Sequence, residues 1–385
     1  MNFLENLIIN IGNWFAGWLS TFLPAWAVNL IMDLVVIVVL LVIAIVAVLG
    51  LSLMERKVAA RAGDRYGPNR WGPYGVLQAF ADAIKMLIKE DIIPRPADRF
   101  LFNVAPALAA FSAVMTYAVI PFGQGLVAAD LNIGILYFTA IGSISTLALL
   151  CSGFGSRNKY ALVGAFRAAA QLISYEIPMG LSIIAVVMLS GSMSTSQIIE
   201  AQRTQGWFIL LMPAVFLIYF MAASAEMIRG PFDLIEADSE IVAGHFIEYS
   251  GMKFALFFLA EYIHLLAGSL IIVTLFLGGG LGPILPSWLW VFIKGFCVIF
   301  IFMWVRNTFP RIRIDHVLAF SWKVLVPASL VALLITGVVG KVFDGVLVTG
   351  AVMLVANVAL ILGGSLLMGW AQRRKELAAE GAALR

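Results

Sequence analysis

Apolar residues run along this chain in long unbroken blocks, broken by short polar stretches. Nine blocks approach or exceed the roughly 20 residues that a membrane helix needs. They are 26–54, 101–122, 134–154, 161–189, 207–227, 253–277, 288–305, 323–340 and 346–370, the eighth being short. The pattern predicts an all-α integral membrane protein of about nine transmembrane helices. Ahead of the first block, Phe3, Leu4, Leu7, Ile8, Ile11, Trp14, Phe15, Trp18, Leu19 and Phe22 recur at helical spacing. Together with Trp26, which suits the headgroup level, they predict a helix lying in the interface over 1–25. Its first turn is acidic at Glu5 and has no basic n-region, so it does not read as a secretory signal. Residues 76–89 put Gln78, Asp82, Lys85 and Lys89 on one helical face and Leu77, Phe80, Ile84, Leu87 and Ile88 on the other. That helix is too short and too charged to span. It is either interfacial or the wall of an amphipathic cavity.

Composition agrees with the pattern. Hydrophobic residues make up 62% of 385 positions and charged ones 12%, against about 45–50% and about 25% in soluble domains. A net charge of +3 gives no argument for nucleic acid. Cys151 and Cys297 lie in apolar runs, and His245, His264 and His316 are far apart, so no metal or cluster motif is visible. The run from Gly278 to Pro283 follows a helix and reads as a plain turn rather than a phosphate loop. Charge also orients the spans. With 55–100 on the cytoplasmic side, the regions on that side hold 21 of the 25 Lys and Arg. This asymmetry predicts an outer N-terminus and a cytoplasmic C-terminus.

Ionisable residues inside spans are costly and mark functional sites by default. Here they are Asp33, Arg167, Glu176, Glu226, Glu261, His264 and Lys294. At about 1.5 Å per residue, Glu226 falls near the cytoplasmic end of its span, Glu261 about 12 Å deep and Glu176 about 22 Å deep. The loop outside adds Asp233, Glu236, Asp238, Glu240 and Glu248. Carboxyl groups thus descend stepwise toward mid-membrane, where burial opposes ionisation and a nearby cation favours it. Arg167 and Glu176, nine residues apart, fall on opposite faces and cannot pair within their helix. His264 shares a face with Glu261 and reads as a packed, hydrogen-bonded histidine. Lys294 reads as snorkelling outward, and Asp33 as structural. Pro178 bends the helix beside Glu176 and frees a carbonyl that needs a neighbour or a water. Either a proton path or packing alone fits such a bend.

Several long motifs then point to one family. Glu55-Arg56-Lys57 precedes Arg65-Tyr66-Gly67-Pro68-Asn69-Arg70, Gly72-Pro73-Tyr74-Gly75 and Leu77-Gln78-Ala79-Phe80-Ala81-Asp82 with Lys85. Gly164-Ala165-Phe166-Arg167 runs into Ser174-Tyr175-Glu176, and Arg229-Gly230-Pro231-Phe232-Asp233-Leu234 is followed by Glu240 and Glu248-Tyr249-Ser250-Gly251. Phe254 to Phe258 precede Glu261-Tyr262, and Arg306-Asn307-Thr308-Phe309-Pro310-Arg311-Ile312-Arg313 comes last. Over about 26–340 the chain closely resembles the H-subunit family (subunit 1 in mitochondria) of proton-translocating NADH–quinone oxidoreductase, respiratory complex I.

The resemblance implies a non-redox-centre subunit of a translocase, in a bacterial plasma membrane. Quinone (ubiquinone or menaquinone) would be its substrate, and it would carry no metal or cluster. Glu55, Arg56, Arg65, Asp82, Lys85, Phe232, Glu248 and Phe254 would lie in or near the quinone chamber. Glu176, Arg167, Glu226, Glu236, Asp238, Glu240 and Glu261 would form the inward polar path. Arg61, Tyr66, Arg70, Arg229, Arg306, Arg311 and Arg313 would serve subunit docking, on a basic loop whose glycines and prolines fix its shape. Partners would be the peripheral-arm subunits with the terminal iron–sulfur cluster and quinone-site loop, small membrane subunits, antiporter-like subunits and the bilayer.

On this reading 1–25 is an interfacial segment, 26–340 the chamber domain, and 341–385 an additional helix and cytoplasmic tail. The chain departs from the family at Met227 and Ile228, where polar residues are usual. It departs again at Asp238, where glutamate is common, at His264, where asparagine is frequent, and in its ninth span. Two rivals stand beside this reading: a stand-alone secondary transporter, which often shows internal repeats not evident here, and a membrane anchor of an energy-converting hydrogenase.

Overall fold

The computed structural model describes residues 7–234, 242–343, 345, 348–364 and 366, with side chains from residue 10 onward. In chain order the helices are α1 (Leu7–Ser20), α2 (Ala25–Ala62), α3 (Gln78–Ile88), α4 (Arg99–Met115), α5 (Gly134–Gly155) and α6 (Lys159–Ser190). There follow α7 (Thr195–Gln205), α8 (Phe208–Leu211), α9 (Pro213–Glu226), α10 (Gly251–Phe276), α11 (Ser287–Thr308), α12 (Ile314–Phe320) and α13 (Val326–Val342). The last is α14 (Val348–Gly364). The protein is an all-α membrane protein. Among the described residues seven helices are long and apolar enough to cross a membrane, α12 and α13 counting as one, and α9 and α14 are shorter apolar helices.

Local chemistry sets several boundaries. Asp98 caps α4 by accepting from the Phe100 and Leu101 amides at 3.0 and 3.3 Å. Asn158 caps α6 through the Tyr160 amide at 3.0 Å. Gly191, at φ 72°, ends α6 in the left-handed region. The expected fifth span is broken at Met212 (φ −128°, ψ 61°), because Pro213 disfavours a helical residue before it. The first helix runs on to Ala62, 38 residues or about 57 Å, so Glu55, Arg56 and Arg61 sit on a helical extension and not in the expected loop. The eighth span begins earlier than expected, at Ile314. The 11-residue α7 is too polar for the apolar pattern to reveal. The segment expected as a ninth span holds a 17-residue apolar helix over Val348–Gly364, and residues 367–385 lie outside the described residues.

Helix α10 is the centre of the bundle. Its apolar window is 72% buried, against 17% for α2. It packs against α4, α11, α2 and α3, while α6 packs against α5, α9 and α13. The Tyr117 hydroxyl donates to Ile263 O at 3.2 Å and ties α4 to α10. At the far end from the 63–77 loop, Lys294 donates to the carbonyls of Leu277, Gly279 and Leu281 at 2.7–2.9 Å. It also lies over the rings of Trp207 and Trp290. Lys294 therefore does not snorkel; it satisfies orphan carbonyls at the C-terminus of α10.

The bend at Pro178 is satisfied by protein. Proline removes the donor to Ser174 O, and the Ser321 hydroxyl donates to that carbonyl at 2.6 Å. Ser321 stands in a single π-helical turn, Ser321–Leu325, between α12 and α13. Trp322 Nε1 donates to Ser174 Oγ and the Tyr175 hydroxyl to Val317 O. The packing account of the bend is thus sufficient without water.

Lys294→Met keeps the length of the side chain and strands three carbonyls, one buried and two half-buried. It should destabilise the chain by on the order of 3 kcal/mol, read as a lower unfolding midpoint in detergent, with Lys294→Arg intermediate. An unchanged midpoint would contradict the capping role.

Candidate functional site

Two features meet at the end of the bundle that carries the basic loop. The first is an ion network. Glu55, on the extension of α2, accepts from Arg229 Nη1 at 2.9 Å on both oxygens and from the Tyr262 hydroxyl at 2.7 Å. It accepts as well from Arg306. Arg229 Nη2 reaches Glu261 at 3.2 Å, and its guanidinium lies 4.8 Å from the centre of the Tyr262 ring. Arg306 Nη2 meets Asp233 at 3.0 Å, and Arg311 meets the same oxygen at 3.8 Å. Two buried or half-buried guanidiniums, Arg229 and Arg306, with the exposed Arg311 at the edge, face three carboxylates and offset their charge. The offset is needed, since an unmatched ion in low dielectric costs several kcal/mol. The side chain of Arg229 is 2% exposed.

The turn carrying Arg229 and Asp233 is held from α6. Gln171 Nε2 donates to Ala225 O and Phe232 O, both at 2.9 Å. Phe232 packs on Tyr175 at 5.3 Å. The network therefore locks α2, α10, the end of α11 and the 227–234 turn together.

The second feature is a cavity of about 90 Å³, partly open, which shares Glu261 with the network. Its walls are mostly apolar, with Phe246, Phe254, Phe257 and Phe258 on one side and Met179 and Leu172 on another. Its polar lining is Glu226, Glu261, His245, His264, Tyr219 and Ser145. Glu261 thus belongs to both features. Glu226 has no ion pair among the described residues. It stands beside Gly142 of α5, where an added Cβ would come within 3.4 Å of its carboxylate. It lies close enough to Glu176 for their charges to interact. The backbone at Gly244 approaches α6 closely because Gly164 has no side chain: a Cβ there would come within 2.8 Å of Gly244. That approach delivers His245 to the cavity, where its ring meets the edges of Phe246 and Phe257.

A third, more exposed cluster lies at the rim of this end of the bundle, on α2 and α3. Arg56 reaches Asp82 at 2.5 Å, Lys85 lies 3.6 Å away, and Gln78 donates to the same carboxylate. Burial alone would raise the Asp82 carboxyl, but the bond and charge of Arg56, with help from Gln78 and Lys85, hold it below its ordinary 3.8. Arg61 lies over Tyr66 at 5.6 Å. Arg65, Tyr66, Arg70, Arg311 and Arg313 are exposed. The loop has one shape, since Gly75 at φ 78° lies against the Pro68 backbone where no Cβ fits. Glu248 accepts from Asn158 Nδ2 at 2.7 Å.

The sequence-derived candidates are thus partly gathered. Glu55, Glu261, Arg229 and Arg306 join one network; Glu226, Glu261 and Phe254 line one cavity, with Glu176 beside it; and Arg56, Asp82 and Lys85 join at the rim. Arg167 lies half-buried on α6. Glu236, Asp238 and Glu240 fall outside the described residues. Arg229, expected at a docking surface, is instead turned inward and buried. His264, expected to be hydrogen-bonded, has no partner for Nε2 among the described residues. Asp233 stands among the loop carboxyls of the sequence; Tyr262 and His245 are given no role there, and of these two only Tyr262 carries a signal, its place beside Glu261.

An all-α polytopic membrane protein with a partly buried ion network joined at Glu261 to a carboxyl-lined cavity is the class this arrangement defines. The family model described as NADH dehydrogenase matches residues 34–337. A relative from Carboxydothermus hydrogenoformans, named as the H subunit of NADH-quinone oxidoreductase, is 46% identical over 339 residues, which cover 86% of this chain and 96% of the relative. One of the same name from Dehalococcoides mccartyi is 49% identical over 318 residues, 83% and 89% of the two chains. A third, again named as an H subunit of that enzyme and from Geobacter sulfurreducens, is 48% identical over 296 residues, 74% and 90%. The chain belongs to the NADH dehydrogenase family, among its membrane subunits.

Arg229→Met leaves Glu55 and Glu261 facing each other without the guanidinium between them. It should cost about 3–5 kcal/mol, seen as poor accumulation in membranes and a lowered unfolding midpoint; wild-type stability would contradict the network. At Asp82 the folded carboxyl is depressed. Its charge therefore ties α3 to α2 above the ordinary value of 3.8 and the tie is lost as pH falls through the folded value. Spin labels on α2 and α3 should report loosening in that acid range, and Asp82→Asn should remove the transition. A transition that survives in the variant would assign it elsewhere.

Proposed function

We propose that this chain is the quinone-chamber subunit of a proton-translocating NADH–quinone oxidoreductase, and that its buried carboxyls couple quinone reduction to proton movement. The observation that carries the reading is Glu226: a carboxyl with no ion pair among the described residues, facing a cavity that Glu261 joins to the ion network. A structural carboxyl would be matched with a cation, as Glu55 is. An unmatched one held beside a second carboxyl, Glu176, is suited to taking up and releasing protons.

The membrane domain, 26–340, supplies most of the quinone chamber, of which the apolar cavity is the inner part, with the Arg56–Asp82–Lys85 cluster of α2 and α3 near its entrance. Electrons come from a soluble partner that carries an iron–sulfur cluster; quinone takes up two electrons and two protons to become quinol. Negative charge arriving at the network end changes the field on Glu261 and Arg229, and so the grip of Glu226 on its proton. Coupled carboxyls respond as a group, and Glu176 passes the change toward antiporter-like neighbours in the membrane. The loop around Arg61, Arg65, Tyr66 and Arg70 is the platform for the soluble partner, with Arg313 beside the end of α11. The 21 Lys and Arg on one side support a platform in the bacterial cytoplasm, with the N-terminus outside and the C-terminus inside. Residues 1–25 lie along the interface, and 341–385 add a helix and a tail.

In membranes holding the whole complex, Glu176→Gln should leave quinone reduction partly working and slow proton translocation at least tenfold, loss of a proton-transfer group costing about 10²–10⁴. Simultaneous assay of NADH oxidation and vesicle acidification reads both; undiminished translocation would refute the role. Arg65→Ala should weaken attachment of the soluble arm or slow quinone reduction, and normal assembly with full activity would count against the platform.

A further inference from the structure

The two imidazoles that face the cavity are not explained by packing. His245 sits in the short turn Gly244–Phe246 and is 4% exposed, and its Nδ1 has no hydrogen-bond partner among the described residues. His264 lies one turn beyond Glu261 on α10, and its buried Nε2 also lacks a partner among them. An unmatched buried polar atom costs about 1–3 kcal/mol. Two of them lining one cavity, on different elements, are sites for something that hydrogen-bonds to one nitrogen of each ring.

From this placement we propose that His245 and His264 are proton-relay residues, holding water in the cavity and passing protons along it between Glu261 and Glu226. Polar cavities of sufficient size hold water where orphan groups can bind it. The titratable and charged groups facing the pair are Glu261 with its partner Arg229 on one side, Glu226 and Tyr219 of α9 on another, and Glu176 of α6 behind Glu226. Burial pushes His245 down to about 3, which keeps its imidazole neutral. A neutral ring has one donor and one acceptor nitrogen. It relays by accepting a proton from water at the acceptor nitrogen while its N–H releases one to the next water; the ring ends as the other tautomer, with no net change in charge. The four phenylalanines around the pair keep bulk water from short-circuiting the path.

This inference rests on the proposed proton path, and one set of variants separates the two. In vesicles containing the whole complex, the double variant H245F/H264N should slow proton translocation by on the order of a hundredfold, the low end for losing a positioned proton-transfer group. Free imidazole at millimolar concentration should restore part of it to H264G, a rescue that a merely structural role would not give. Should the double variant fail to assemble, H245Y and H264N, each close in size to the native side chain, carry the same comparison. The relay is overturned if the histidine variants translocate protons at the wild-type rate while E226Q does not, or if imidazole gives no recovery. If E226Q also translocates normally, the proton path itself fails and takes the relay with it.

Discussion

A guanidinium with almost no access to water organises this structure. Arg229 is held on one side by both oxygens of Glu55 and on the other by Glu261, with Tyr262 bonded to Glu55 and stacked beneath the cation. Those partners come from α2 and α10, two helices far apart in sequence, and Arg306 and Asp233 extend the set to α11 and the turn after α9. Removing any one leaves an unmatched ion in apolar surroundings, which is why the matched set fixes the relative positions of four segments more firmly than apolar packing would. Everything inward of it, including the cavity, has its shape because these ends cannot drift apart.

The same constraint separates two kinds of carboxyl. Glu55 and Asp233 are saturated with arginines and serve as anchors. Glu226 and Glu176 interact without an ion pair among the described residues, and α5 comes close to Glu226 at Gly142. Glu261 belongs to both groups: it is bound to Arg229 and exposed to the cavity. On the proposed function it is the residue through which a change of charge at the network end would be felt by the carboxyls farther in. Stability and responsiveness are divided between neighbouring residues of the same type, and partner geometry decides which is which.

Much of this was legible in the sequence where the signal is periodic or compositional. The long apolar blocks, the amphipathic helix around Asp82, and the intramembrane list of Glu176, Glu226, Glu261 and Lys294 follow from the cost of placing charge in hydrocarbon. What the sequence left open depends on partners distant in the chain. Lys294 looks like a snorkelling residue until the carbonyls at the end of α10 come within reach. Pro178 fits either a hydrated bend or packing until Ser321 is seen to donate to the freed carbonyl of Ser174, 147 residues before it. Arg229 reads as a surface cation because its motif follows a span, and only the fold shows Glu55 opposite it. His245 carries no local signal at all; it reaches the cavity because Gly164 lets another segment approach.

The central claim is that carboxyls in this cavity change protonation when quinone is reduced at the network end. Infrared difference spectra of the whole complex, recorded between its oxidised and quinol-bound forms, measure this directly through the carbonyl stretch of protonated carboxyl groups. The account predicts a carboxyl band that appears or shifts on reduction and is lost or displaced in E226Q. A wild-type spectrum with no carboxyl change, or one whose band is identical in E226Q, would contradict it.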